Sequence, residues 1–126
     1  MIVVAIIAIL AAIALPQYQT YVARSQTTAG LAEISPGRTA YETLVNQGVT
    51  NGGTFANVDN LGLQASTPRC SQITSTVTPI GAGSIKCKLA GNTAIQGRTI
   101  ELDRSPSGAW SCSSTVAPEY LPASCL

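Results

Sequence analysis

Four cysteines, six carboxylates and no histidine bound the chemistry open to this chain. The cysteines are Cys70, Cys87, Cys112 and Cys125. None stands in C-x-x-C spacing, which argues against a zinc knuckle or a thioredoxin-type redox pair. The absence of histidine removes the commonest general base and the commonest metal ligand. No acid–base pair, activated nucleophile or phosphate-binding glycine loop is visible, so no catalytic residue, metal or cofactor is assigned. Disulfide chemistry remains. Four cysteines allow three pairings. The favoured reading joins Cys112 to Cys125, closing the tail onto the last strand, and Cys70 to Cys87, tying a loop to the second strand. Each bridge closes a loop of roughly 15 residues, worth about 3 kcal/mol in the chain-entropy model.

Charge excludes a further class. Seven Lys/Arg against six Asp/Glu give +1, with only 10% of residues charged. That argues against nucleic acid as a partner, since such binding rests on many phosphate contacts. Lys86, Lys88 and Arg98 form a small basic group, but Glu101 and Asp103 beside them point to a mixed, solvated face. Serine and threonine together number 26, which gives a polar but uncharged surface.

The elements that hold these residues divide sharply. Residues 1–15 (MIVVAIIAILAAIAL) carry no polar side chain, and the first charge is Arg24. A signal peptide lacks its basic flank here. An ordinary transmembrane helix needs about 20 apolar residues, and the run meets Pro16 first. A run that opens in mid-pattern predicts a few more apolar residues upstream. The third reading is a helix buried among copies of itself, apolar all round. Beyond Pro16 the pattern stays helical: Leu31, Ile34, Tyr41, Leu44 and Val45 share one face. Arg38 and Glu42, one turn apart, are expected to pair on the outer face. Gly48 reads as the cap. The expectation is one helix over residues 1 to about 47, bent at Pro16 and Pro36. At ~1.5 Å per residue it is roughly 70 Å long, too long for the core of so small a domain.

Residues 49–69 read as a long loop. Alternation then predicts strands at 73–80, 84–90, 98–105 and 109–115, with Ile85, Cys87, Leu89, Ile100, Leu102, Trp110 and Cys112 facing inward. Gly81-Ala82-Gly83 and Ser105-Pro106-Ser107-Gly108 are turn sequences. The fold class is α+β: a long bent N-terminal α-helix packed on a four-stranded antiparallel sheet. A projecting stem takes residues 1–22. The globular part takes 23–126, with a connecting loop at 48–72, a sheet within 73–115 and a tail closed over 112–125.

The stretch MIVVAIIAILAAIALPQYQTYVARSQ resembles the stem of type IV pilins of the IVa class. GRTIELDRSPSGAWSCSSTVAPEYLPASC resembles the last strands and disulfide-closed tail of Pseudomonas-type major pilins. The resemblance implies the type IV pilin fold, and a prepilin whose leader a membrane peptidase removes before methylating the new amino terminus. It implies an inner-membrane subunit that polymerises with copies of itself into a surface filament. Pilus assembly machinery would extend and retract that filament for adhesion and twitching motility, with host glycans and phage as outside partners. The family's stem begins a few residues before Met1, with a glutamate there. Ala8 stands where these pilins usually carry glycine, and the family's stem loses helicity between that glycine and the proline.

Filament assembly is expected to rest on Ile2, Ile6, Ile9, Leu10, Ile13 and Pro16. The tail loop (CSSTVAPEYLPASC) is the receptor-binding candidate, through Ser113, Pro118, Glu119, Tyr120 and Pro122, or else a structural clasp. The functional expectation is the major subunit of a type IV pilus. The alternatives are a type II secretion pseudopilin and a minor adhesive or DNA-uptake pilin. The pseudopilin typically carries calcium carboxylates where this chain has cysteines.

Overall fold

The computed structural model describes residues 1–49 and 51–126. Helix α1 runs Ile2–Ile34 and α2 runs Gly37–Asn46. Ser35 and Pro36 between them keep helical backbone angles, and the Ser35 N–H donates to the Leu31 carbonyl at 3.0 Å. The two therefore form one helical path of 45 residues, as the long apolar and amphipathic pattern requires. Pro16 lies inside α1. It has no N–H to offer the carbonyl one turn back, and the path absorbs that loss. Gly48 ends it with φ +97°, and its N–H bonds to the Val45 carbonyl at 3.0 Å. Such an angle suits glycine, which has no Cβ to clash.

The chain then builds a meander of four antiparallel strands in sequence order: β1 (Cys70–Val77), β2 (Gly83–Leu89), β3 (Thr99–Arg104) and β4 (Trp110–Ser114). One face of the sheet packs on the helix. Ile73, Ile85, Cys87, Leu89, Ile100 and Leu102 are buried there against Ala23, Ile34 and Tyr41. The other face carries Lys86, Glu101, Asp103, Ser111 and Ser113. Lys86 pairs across strands with Glu101 at 3.1 Å, which makes that surface mixed rather than basic.

Three sequence expectations are corrected. The stretch 49–69 is not plain loop: it holds helix α3 (Gly52–Ala56) and a 3₁₀ turn (Val58–Leu61). Asn51 caps the first by accepting from the Gly53 N–H at 2.9 Å, and Asn57 caps the second by accepting from the Asp59 N–H at 3.1 Å. Phe55, Val58, Leu61 and Leu63 then close one end of the core. This apolar content is spaced too irregularly to show as a period. Thr50 lies outside the described residues. Second, β1 starts at Cys70 rather than residue 73. A register irregularity between Cys70 and Gln72 interrupts the alternation there. It also stops at Val77, because Thr78–Gly81 forms the turn.

The third correction concerns charge pairing. Glu42 does not pair with Arg38. It faces the sheet, where Arg104 donates to both carboxylate oxygens at 2.6 and 3.2 Å, and the Trp110 indole N–H donates at 2.8 Å. A long-range partner with a fixed, half-buried geometry outcompetes an exposed helical neighbour worth a few tenths of a kcal/mol. Arg104 also donates to the Gly81 carbonyl at 2.8 Å, so one guanidinium ties α2, β3 and the β1–β2 turn together.

Candidate functional site

The surface most distinctive of this molecule is the stem. Ile2, Ile6, Ile9, Leu10 and Ile13 are 51–78% exposed, and the first buried residue along the helix is Ala23. Burying each such side chain stabilises by about 1.5–3 kcal/mol. These five share one face of the helix, but Val3, Val4, Ile7 and Leu15 are equally exposed on its other sides, so no single docking face on this head could cover the stem. This helix is also long and apolar enough to cross a membrane.

The second element is the tail. Cys112–Cys125 and Cys70–Cys87 are both disulfide-bonded. The two bridges differ in access: Cys70 and Cys87 are fully buried, whereas Cys112 is only half-buried. Val116, Leu121 and Cys125 plug the tail into the core. Between them Pro118–Tyr120 forms a 3₁₀ turn. Pro118 and Glu119 are exposed, while Tyr120 and Pro122 are half-buried and Tyr120 packs against the core. Ser113 stands apart from them on the outer face of β4, donating to Asp103 at 2.6 Å. The structure thus brings Pro118, Glu119, Tyr120 and Pro122 together but leaves Ser113 outside the group.

Sequence reading missed what fixes the tail and head to the stem. The Arg24 guanidinium donates twice to the Glu119 carbonyl, at 3.1 and 2.7 Å. Gln26 accepts from the Asn92 N–H and Gln19 from the Asn92 side chain, both at 2.8 Å. Arg24 is the first charge after a long uncharged run, and that was the available signal. Its partner is a backbone carbonyl 95 residues away, which no side-chain pattern encodes.

The electrostatics of the head serve structure. The Arg104 hydrogen bonds hold the Glu42 carboxyl below the usual carboxylate range, and Glu42 in turn raises Arg104 above its ordinary value. Burial pushes the Tyr41 hydroxyl up to about 12. That hydroxyl donates to the Thr76 carbonyl at 2.7 Å, and its ring meets Phe55 and Trp110 edge-on at 4.9 and 5.2 Å. Among the described residues no group of three or more metal-ligating side chains comes together.

An uncovered apolar helix carried on a small disulfide-closed α+β head defines a stem-and-head subunit, built to complete its burial in a larger assembly. The profile of the pilin family (bacterial filament) matches residues 23–126. The chain is 39% identical to a type IV major fimbrial protein FimA of Dichelobacter nodosus. It is 37% identical to a fimbrial protein of Pseudomonas aeruginosa and 36% identical to a probable minor fimbrial protein of Dichelobacter nodosus. The alignments cover 99% of this chain and 89–90% of each relative. The chain belongs to the pilin family, as a type IV pilin with the type IV pilin fold: a structural subunit of a bacterial surface filament, and not an enzyme.

Proposed function

We propose that this chain is the major subunit of an extendable and retractable type IV pilus that serves adhesion and twitching motility. The observation behind this reading is the stem, which leaves large apolar side chains uncovered around its whole circumference. Such a stem is as stable in lipid as among other stems. Passage between an inner-membrane pool and a filament core then costs little hydrophobic free energy. Assembly machinery can therefore drive the exchange in either direction. Ile2, Ile6, Ile9, Leu10 and Ile13 supply the packing surface, and Pro16 supplies a point of weakened helix within it. The exposed turn of the tail, Pro118–Tyr120, is the candidate receptor contact, with host glycans or phage as the ligands.

The test is a charge in the stem. Ile13→Asp puts a carboxylate into an apolar bundle, and filaments sheared from the producing cells are expected to disappear under the electron microscope. Wild-type filament numbers would refute assembly through the stem. Mass spectrometry of the parent filaments tests abundance: the chain should be their main component. A trace amount would move it to the minor subunits, a reading supported by the similarity to the probable minor fimbrial protein.

A further inference from the structure

An open sheet ends in two strands whose outer backbone groups lack a ladder partner. The β1 edge is covered by the preceding chain. The Ile73 N–H donates to the Ala65 carbonyl, and the Thr67 N–H to the Cys70 carbonyl, both at 2.8 Å. The opposite edge is β4. Its pairing with β3 is bracketed by Ser105 N–H to the Ala109 carbonyl at 2.8 Å and Thr115 N–H to the Thr99 carbonyl at 3.0 Å. Between them Ser111 stands opposite Asp103 and Ser113 opposite Glu101. Backbone groups of alternate residues point to the same side of an antiparallel strand. The N–H and C=O groups of Ser111 and Ser113 therefore face β3, and those of Trp110, Cys112 and Ser114 face outward.

Among the described residues no backbone hydrogen bond caps those outward groups. The tail does not pair with them, although a disulfide ties it to Cys112. Its N–H groups at Tyr120, Leu121 and Cys125 bond to carbonyls of Ala117, Pro118 and Pro122. Strand β4 is short, and the turn Ala123–Cys125 packs beside it through the Cys112–Cys125 bridge, but the strand itself carries no lysine, no proline and no bulge.

Beside this edge lies a groove of about 220 Å³ between the strand and the end of α1, lined by Leu31, Ser35, Arg38, Trp110, Cys112 and Ser124. Small-molecule sites usually run to ~300–1,000 Å³, so this groove suits one or two side chains of a peptide instead. Its charge is Arg38. That guanidinium donates to the Ser35 carbonyl at 3.4 Å and has no ion pair among the described residues. The carboxylate one turn on, Glu42, is held by Arg104. An open edge, a side-chain-sized groove and an unpaired cation together describe recognition by strand addition.

We propose that the free edge of β4 is a docking site for an extended, acidic peptide segment of another protein, which adds as a further strand and sets a carboxylate against Arg38. The test uses the full chain, ¹⁵N-labelled, in detergent micelles that keep the stems apart. Two heptapeptides of alternating valine and threonine serve as probes, one with glutamate and one with lysine at its centre. The glutamate peptide is expected to slow amide exchange at Trp110, Cys112 and Ser114 at least tenfold, while the lysine peptide does not. Arg38→Glu should reverse that preference and Arg38→Ala should erase it, with exchange in β2 unchanged in both. Three results overturn the proposal: equal protection by both peptides, protection by neither, or edge amides already protected before any peptide is added. If the last grew with protein concentration, a second copy would be the occupant.

Discussion

Replacing Glu42 with Gln tests whether the Glu42–Arg104–Trp110 cluster holds the helix to the sheet. The substitution keeps shape and an acceptor for the indole N–H, but removes the charge facing Arg104. Breaking a fully buried pair costs about 3–5 kcal/mol. Here the Arg104 side chain is 8% exposed but that of Glu42 is 35% exposed, so solvent screens part of the loss. Hydrogen bonds to charged groups contribute ~1.5–3 kcal/mol. We therefore expect a loss of about 2 kcal/mol, or a Tm lower by roughly 8 °C for a domain of this size. The assay is urea and thermal unfolding in mild detergent, followed by fluorescence of Trp110, the only tryptophan and itself part of the cluster. The pH dependence has a definite sign. The folded-state pKa of Glu42 is depressed, so its contribution is complete at neutral pH and is lost as pH falls through that value. The gap between parent and variant should hold from pH 7 to about pH 5 and narrow below about pH 4. A gap under about 0.5 kcal/mol at pH 7 would refute the reasoning, since surface substitutions stay within that range. A gap that persists undiminished at the lowest pH would refute the electrostatic cause.

Three further outcomes are expected. Gly83→Ala puts a Cβ into the Thr76 carbonyl and the Tyr41 hydroxyl, so it should destabilise by at least ~3 kcal/mol or prevent folding; a stable variant by urea titration would show that β1 and α2 can give way. Graded reductant followed by alkylation and mass spectrometry should open Cys112–Cys125 before Cys70–Cys87, because Cys112 is only half-buried whereas Cys70 and Cys87 are fully buried; the reverse order would contradict the burial. Tyr120→Phe keeps the packing of the tail and removes its hydroxyl, so it should reduce adhesion of piliated cells while filament number stays constant; undiminished adhesion would leave the tail as a clasp only.

The contrast between an apolar stem and a polar head was legible in the residue order alone. A fifteen-residue run without a polar side chain calls for an apolar environment, and the roughly 70 Å helix it begins is too long for the core of so small a domain. Strand identity was legible for the same reason. Ile85, Cys87 and Leu89 alternate with Lys86 and Lys88, and a period of two has one structural meaning when a single face is buried. The α3 segment was not legible, because two asparagine caps and four scattered apolar residues make no period. The partner of Glu42 is not legible in the sequence, because helical spacing offers Arg38 as a neighbour while Arg104 arrives on β3, 62 residues later. Arg24 and the outer edge of β4 belong to the same class. Their significance lies in backbone groups, a carbonyl held in a turn and a row of amides left unpaired. Every residue carries those groups alike, so only the path of the chain decides which are satisfied and which stay open.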